Sequence, residues 1–184
     1  MKAMYIHLPF CKTICTYCDF CKQLYNETNV KKYLKALREE IQDRYNDEEL
    51  ETLYIGGGTP SSLNISELNE LFDILKLLKL NNIKEFTFEC NVNDITEEMI
   101  KLLKQNKVNR ISIGVESFDK EKLKFMERYA DFDDVLKKVN LIREIGINNI
   151  NIDLMYGIPG ETLKTLKKDI DLMLKLKPTH ISTY

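Results

Sequence analysis

The sequence predicts an α/β fold built as a partial (β/α)6 barrel in one domain. Three observations carry this. Short β-branched runs alternate with longer segments of helical period, the linking segments are long enough only for parallel crossovers, and the unusual residues gather just after the strands. The chain has 184 residues, enough for one domain with a real core and small for two.

The strand candidates in order are Met4–Leu8, Thr52–Ile55, Glu85–Glu89, Arg110–Gly114, Asn149–Met155 and His180–Tyr184. Between them run five apolar stripes with the i, i+3, i+4, i+7 recurrence of half-buried helices. They are Leu34, Leu37, Ile41; then Leu68, Leu71, Phe72, Leu75, Leu78; then Met99, Leu102, Leu103. The last two are Val135, Leu136, Val139, Ile142 and Leu163, Leu166, Ile170, Met173. Ser66 and Thr96 stand where N-caps belong, and Gly146 and Pro178 where helices should stop. The charged run Lys35–Glu40 reads as a solvated face. Five βα units and a sixth strand fit a partial barrel better than a doubly wound sheet, although both share this pattern. In either fold the function sits at the carboxyl ends of the strands.

With 27 basic and 29 acidic residues there is no basic stripe to argue for nucleic acid, and no apolar run is long enough to span a bilayer. Five cysteines and no secretory leader favour a reducing cytoplasm over a disulfide framework.

After the first strand comes Cys11-Lys-Thr-Ile-Cys15-Thr-Tyr17-Cys18. Three thiols at C-x3-C-x2-C are one short of the four that usually hold a four-iron cluster, which leaves one iron for a non-protein ligand. A structural zinc site is the alternative, with Cys21, Cys90, His7 and His180 as candidates for further ligands, none in a matching pair. Cys21 is near enough to be a fourth ligand or simply spare. Cys90 reads as a small buried thiol and His7 as a hydrogen-bonded core histidine. His180 could serve as core residue or ligand.

The second strand ends in Gly56-Gly57-Gly58-Thr59-Pro60-Ser61, either a tight turn or a place where main chain approaches a ligand. It lacks dinucleotide-fingerprint spacing and a P-loop lysine. Glu89, Glu116 and Asp153 follow three successive strands. Each alone could cap a helix, but together they suit a ligand rich in hydroxyl donors and positive centres. Arg128 is either a partner for a ligand carboxylate or an ordinary exposed arginine.

Tyr5-Ile-His-Leu-Pro-Phe-Cys11, the C-x3-C-x-Y-C-D-F run, the GGGTPS turn, Arg110–Phe118 and Asp153–Gly160 together resemble the oxygen-independent coproporphyrinogen III dehydrogenase family. The C-D-F ending, with only four residues ahead of the tyrosine strand, is more similar to its HemW-like haem-chaperone branch. The resemblance covers nearly the whole chain. It implies a partial (β/α)6 TIM-like barrel of the radical S-adenosylmethionine (SAM) type, with a [4Fe-4S] cluster on Cys11, Cys15 and Cys18. It also implies that Tyr5, Tyr17, Gly57, Gly58, Thr59, Glu89, Glu116, Arg128 and Asp153 line the SAM site. In the family, cluster reduction cleaves SAM to a 5′-deoxyadenosyl radical.

Two positions depart from the family pattern: Glu116 stands where glutamine is usual, and Ala130 where many HemW-like sequences carry histidine. The family continues beyond the sixth strand. Residues 1–184 are therefore expected to form a radical SAM core lacking the C-terminal substrate- or haem-binding domain. Expected partners are haem or a porphyrin, a haem-acceptor protein, and a flavodoxin or ferredoxin electron donor. Haem chaperone, coproporphyrinogen III dehydrogenase and a non-catalytic metal-stabilised barrel are the functions left to weigh.

Overall fold

The computed structural model describes residues 2–184; Met1, the first residue of the expected 1–184 domain, lies outside the described residues. Six parallel strands form one sheet in the order β1 (Ala3–Leu8), β4 (Thr52–Gly57), β5 (Glu85–Asn91), β6 (Arg110–Glu116), β7 (Asn149–Leu154), β8 (His180–Thr183). The two intervening strands, β2 (Phe10–Cys11) and β3 (Gln23–Leu24), form a separate two-residue parallel bridge. The crossover helices are α1 (Glu27–Arg44), α2 (Ile65–Leu75), α3 (Glu97–Gln105), α5 (Phe132–Glu144) and α6 (Leu163–Lys175), with a short α4 (Lys120–Phe125) between β6 and α5. This is the expected α/β partial barrel.

A parallel sheet covered on both sides reads as continuous apolar sequence, and these strands do not. Alternate residues, among them Ile6, Ile55, Phe86, Phe88, Ile111, Ile113, Ile150 and Ile152, point outward and are buried under the helices. Their neighbours are polar and face the concave side. The parallel register sets Glu89 beside Ser112, Ser112 beside Asn151, and Asn151 beside His180. The next step up pairs Asn91 with Gly114, Gly114 with Asp153, and Asp153 with Ser182. The fold therefore has an apolar wall outside and a hydrogen-bonding floor inside.

Helix starts follow capping chemistry. Thr96 caps α3 as expected, its side chain accepting from the Met99 amide. Ser66 does not cap α2. Asn64 does, in a capping box with Glu67, because Asn64 is extended while Ser66 is already within the helix. Gly146 and Pro178 lie just beyond α5 and α6. The stripe expected on α6 is also corrected. Leu163 is 86% and Ile170 40% exposed, whereas Asp169 and Met173 are buried. The face is set by Asp169, whose carboxylate accepts from Ser117 Oγ (2.7 Å) and the Phe118 amide (2.8 Å).

Candidate functional site

The loop after β1 is pinned at both ends. The Gln23 amide donates to the Pro9 carbonyl (2.7 Å) and the Tyr25 amide to the Cys11 carbonyl (2.8 Å), which closes the β2–β3 bridge around residues 12–22. His7 Nε2 donates to the Cys21 carbonyl (2.8 Å), and Tyr5 OH lies 3.1 Å from His7 Nδ1. His7 is thus a hydrogen-bonded histidine that braces the cysteine loop. Lys12, between the first two cysteines, pairs with Asp94 (2.8 Å). Asp94 in turn accepts from Ser61 Oγ (3.1 Å), in the segment that follows the glycine turn.

The glycine turn packs directly against this loop. Gly57 has φ +119°, a conformation that favours glycine. At Gly58 a Cβ would meet the Pro9 carbonyl carbon at 2.8 Å and Cys11 Sγ at 3.0 Å. Thr59 Oγ1 lies 3.5 Å from Cys11 Sγ. Bare main chain is therefore what lets the turn lie against the first thiol.

One open cleft of about 290 Å³ lies at the carboxyl ends of the strands. Cys11, Cys15 and Cys18 line it from the loop, and Gly57, Gly58 and Thr59 line it from the turn. Tyr5, Tyr17, Glu89, Glu116, Arg128 and Asp153 complete the lining, so every residue singled out for the site reaches the same space. All five cysteines are free thiols. Among the described residues no three His, Cys, Asp or Glu side chains are grouped so as to hold a single metal ion. Cys21 is exposed and contributes its carbonyl to His7. Cys90 is buried, and burial pushes its thiol well above the ordinary value. Burial also raises Cys11.

The charges in the cleft are unusually dry. Burial pushes the carboxyls of Glu89, Glu116 and Asp153 above the ordinary carboxylate range. Glu89 accepts from Tyr54 OH (2.5 Å) and the Gly57 amide (3.1 Å), so it ties β5 to the glycine turn. Asp153 accepts from Asn151 Nδ2 (2.8 Å), which also donates to Ser112 Oγ (2.8 Å).

Glu116 sits at φ +71°, where the β6–β7 register shifts, and accepts from Arg128 Nη2 (3.0 Å). Arg128 is therefore no ordinary exposed arginine: its side chain is 16% exposed. Burial opposes its charge, but Tyr17 and Glu116 outweigh that and hold the guanidinium firmly protonated. Its Nε is buried with no protein acceptor. A buried donor without a partner is costly, and this one lies beside the cleft.

The sequence reading missed most of the inner rows: Tyr54, Thr87, Arg110, Ser112, Asn151 and Ser182. Their signal was present as polar residues at every second position of strands that an ordinary parallel sheet would make apolar throughout. Arg110 Nη1 donates to Thr87 Oγ1 (3.2 Å), and His180 Nδ1 lies 2.5 Å from Asn151 Oδ1. His180 thus begins β8 as a member of the polar floor.

Comparison with known proteins decides the family. The family model described as the radical SAM superfamily matches residues 5–173. The chain belongs to the radical SAM superfamily. It is 41% identical to "Heme chaperone HemW" of Bacillus subtilis (strain 168), over 100% of this chain and 50% of that protein. Identity is also 41% to "Heme chaperone HemW" of Lactococcus lactis subsp. lactis (strain IL1403), over 100% of this chain and 48% of the other. Among solved structures, the coproporphyrinogen III oxidase HemN from Escherichia coli, described as a radical SAM enzyme, superposes with a TM-score of 0.90. That pair is 29% identical, with 100% of this chain and 44% of that chain covered. The chain spans about half the length of the curated relatives it matches. No helix among the described residues is long and apolar enough to cross a membrane.

Proposed function

We propose that the chain is the cluster- and nucleoside-binding core of a HemW-like haem chaperone. Cys11, Cys15 and Cys18 would hold a [4Fe-4S] cluster, and the adjoining cleft would hold SAM. The observation that carries this reading is one cleft that gathers three free thiols, the glycine turn, three carboxyls and Arg128. SAM has a carboxylate to meet the Arg128 guanidinium. Its ammonium, sulfonium and ribose hydroxyls would meet Glu89, Glu116 and Asp153. When bound, the reduced cluster supplies the electron that cleaves SAM.

The residues of the chain bind, orient and exclude. Tyr5 would cover the ligand at the β1 end and Tyr17 at the loop end. Gly57, Gly58 and Thr59 offer close main-chain approach. Buried carboxyls that are costly to ionise favour a cationic ligand, because its charge offsets their desolvation. In this reading the haem or porphyrin contacts and the haem-acceptor surface come from the half of the relatives that this chain does not span. A flavodoxin or ferredoxin would supply the electron, and the setting is cytoplasmic.

The resemblance in shape to the coproporphyrinogen III oxidase HemN favours a second reading, oxidative decarboxylation of coproporphyrinogen III. Both use the same cleft. Anaerobic reconstitution of the chain with iron and sulfide should give about four irons per chain. Stoichiometric zinc with no cluster absorption would end both readings. In the full-length protein, haem titration without decarboxylation supports the chaperone, whereas decarboxylation at enzymatic rates replaces it.

A further inference from the structure

Behind the cleft lies a buried ionic cluster for which the proposed function has no use. Lys122 on α4 is 4% exposed and Asp169 on α6 is 0% exposed. Lys122 Nζ donates to Asp169 Oδ2 (2.7 Å) and to Glu161, and it lies 3.5 Å from the Met155 carbonyl. The remaining acceptor capacity is taken up nearby. Asp169 accepts from Ser117 Oγ and the Phe118 amide, and Glu161 Oε2 accepts from the Gly157 amide (2.6 Å). Burial opposes the charge on Lys122, but Asp169 and Glu161 outweigh it and raise the ammonium above its ordinary value.

One ammonium therefore ties together the segment after β6, the segment after β7, and α6. Above it Leu123, Met126 and Ile158 pack with Tyr17 and Met155. Arg128 hangs from the same turn, its amide donating to the Leu123 carbonyl (2.8 Å). Removing one partner strands buried charge, whereas a whole buried ion cluster replaced by packed apolar side chains is often as stable or more so, so net stability alone does not account for this arrangement. A single-geometry clamp is what it provides.

The geometry points to Lys122 as a positioning residue that, through the Asp169–Glu161 cluster, holds Arg128 and Tyr17 in place at the carboxylate end of the nucleoside site. This rests on the SAM reading above for its ligand, though not for its mechanics. Two measurements on the whole chain test it.

The first is amide hydrogen exchange without ligand. Lys122→Met should accelerate exchange by about ten-fold in residues 117–128 and 155–161 while leaving β1, β4 and β5 unchanged. Unchanged exchange in those two segments overturns the inference even if the parent chain binds no SAM, the outcome that would instead sink the proposed function.

The second is equilibrium binding to reconstituted protein. Lys122→Met should weaken SAM by about ten-fold and 5′-methylthioadenosine, which lacks the carboxylate and ammonium, by less than about two-fold. Arg128→Gln should do the same, and the double variant should add nothing further. Equal weakening of both ligands, or multiplying effects of the two variants, overturns the inference. Should Lys122→Met fail to fold, Glu161→Gln removes one arm, leaves the Asp169 pair, and is judged by the same criteria.

Discussion

Substituting Gly58 by alanine probes how closely the glycine turn packs on the cysteine loop. The added Cβ would stand 2.8 Å from the Pro9 carbonyl carbon, 2.9 Å from the Phe10 amide nitrogen and 3.0 Å from Cys11 Sγ. The first contact is about 0.7 Å inside the ~3.5 Å at which carbon atoms pack. Two of the three neighbours are main chain, and they cannot swing aside as a side chain would. They are also fixed from the other direction, by Gly58 amide to Leu8 carbonyl (2.8 Å) and Thr59 amide to Phe10 carbonyl (2.8 Å). Overpacking costs about 1–3 kcal/mol, and immovable neighbours place this site in the upper half. At about 2–4 °C per kcal/mol for a chain of this size, the midpoint of thermal unfolding should fall by roughly 4–12 °C. Because the methyl is aimed at Cys11 Sγ, iron content after reconstitution should fall as well. An unfolding midpoint within about 2 °C of the parent, with full iron content, would refute the packing argument.

Replacing Cys15 by alanine should abolish the broad absorption near about 400 nm after reconstitution, whereas Cys90→Ala should keep it and lose only stability, by about 1–3 kcal/mol. Retained absorption in the Cys15 variant removes the ligand assignment. Glu116→Gln keeps an acceptor for Arg128 but withdraws a negative charge that would meet the cationic end of SAM, so SAM should bind about three- to ten-fold more weakly by calorimetry. Tighter binding would show that Glu116 competes with the ligand carboxylate for Arg128 and does not meet the ligand itself. For pH dependence the sign follows from burial. The folded-state values of Glu89, Glu116 and Asp153 are raised, so the native chain holds more protons between the ordinary carboxylate range and those values. Without ligand, the urea midpoint should therefore fall as pH rises from the ordinary carboxylate range towards those raised values. Raised salt is needed, because the exposed carboxyls of Glu27, Asp73 and Glu97 are shifted downwards by lysine partners and act in the opposite sense. A midpoint that climbs with pH under those conditions contradicts the burial argument.

The strands were legible because β-branched runs and their spacing are local signals. Each of the six was read to within two residues at its ends. No comparable local signal marks β2–β3, since two residues on each side carry no period, and their pairing depends on the distant closure of the cysteine loop. The helix α4 was hidden for a similar reason. Its six residues bury Lys122 beside Leu123, so charge sits where an apolar stripe was sought. On α6 the same cluster, through Asp169, turned Leu163 and Ile170 outward. The residues expected at the site were all brought to one cleft because strand ends converge in any such sheet. The partners of those residues, such as Tyr54 for Glu89 and Asn151 for Asp153, depend on cross-strand register, which no single strand encodes.

A barrel whose inner rows are hydroxyls, amides and carboxyls cannot dry out and collapse on itself as an oily interior does. Whatever small molecule fills that hollow completes the fold as well as occupying it, so occupancy and durability should rise together. A ligand at a hundred times its dissociation constant would add about 2.7 kcal/mol of resistance to unfolding.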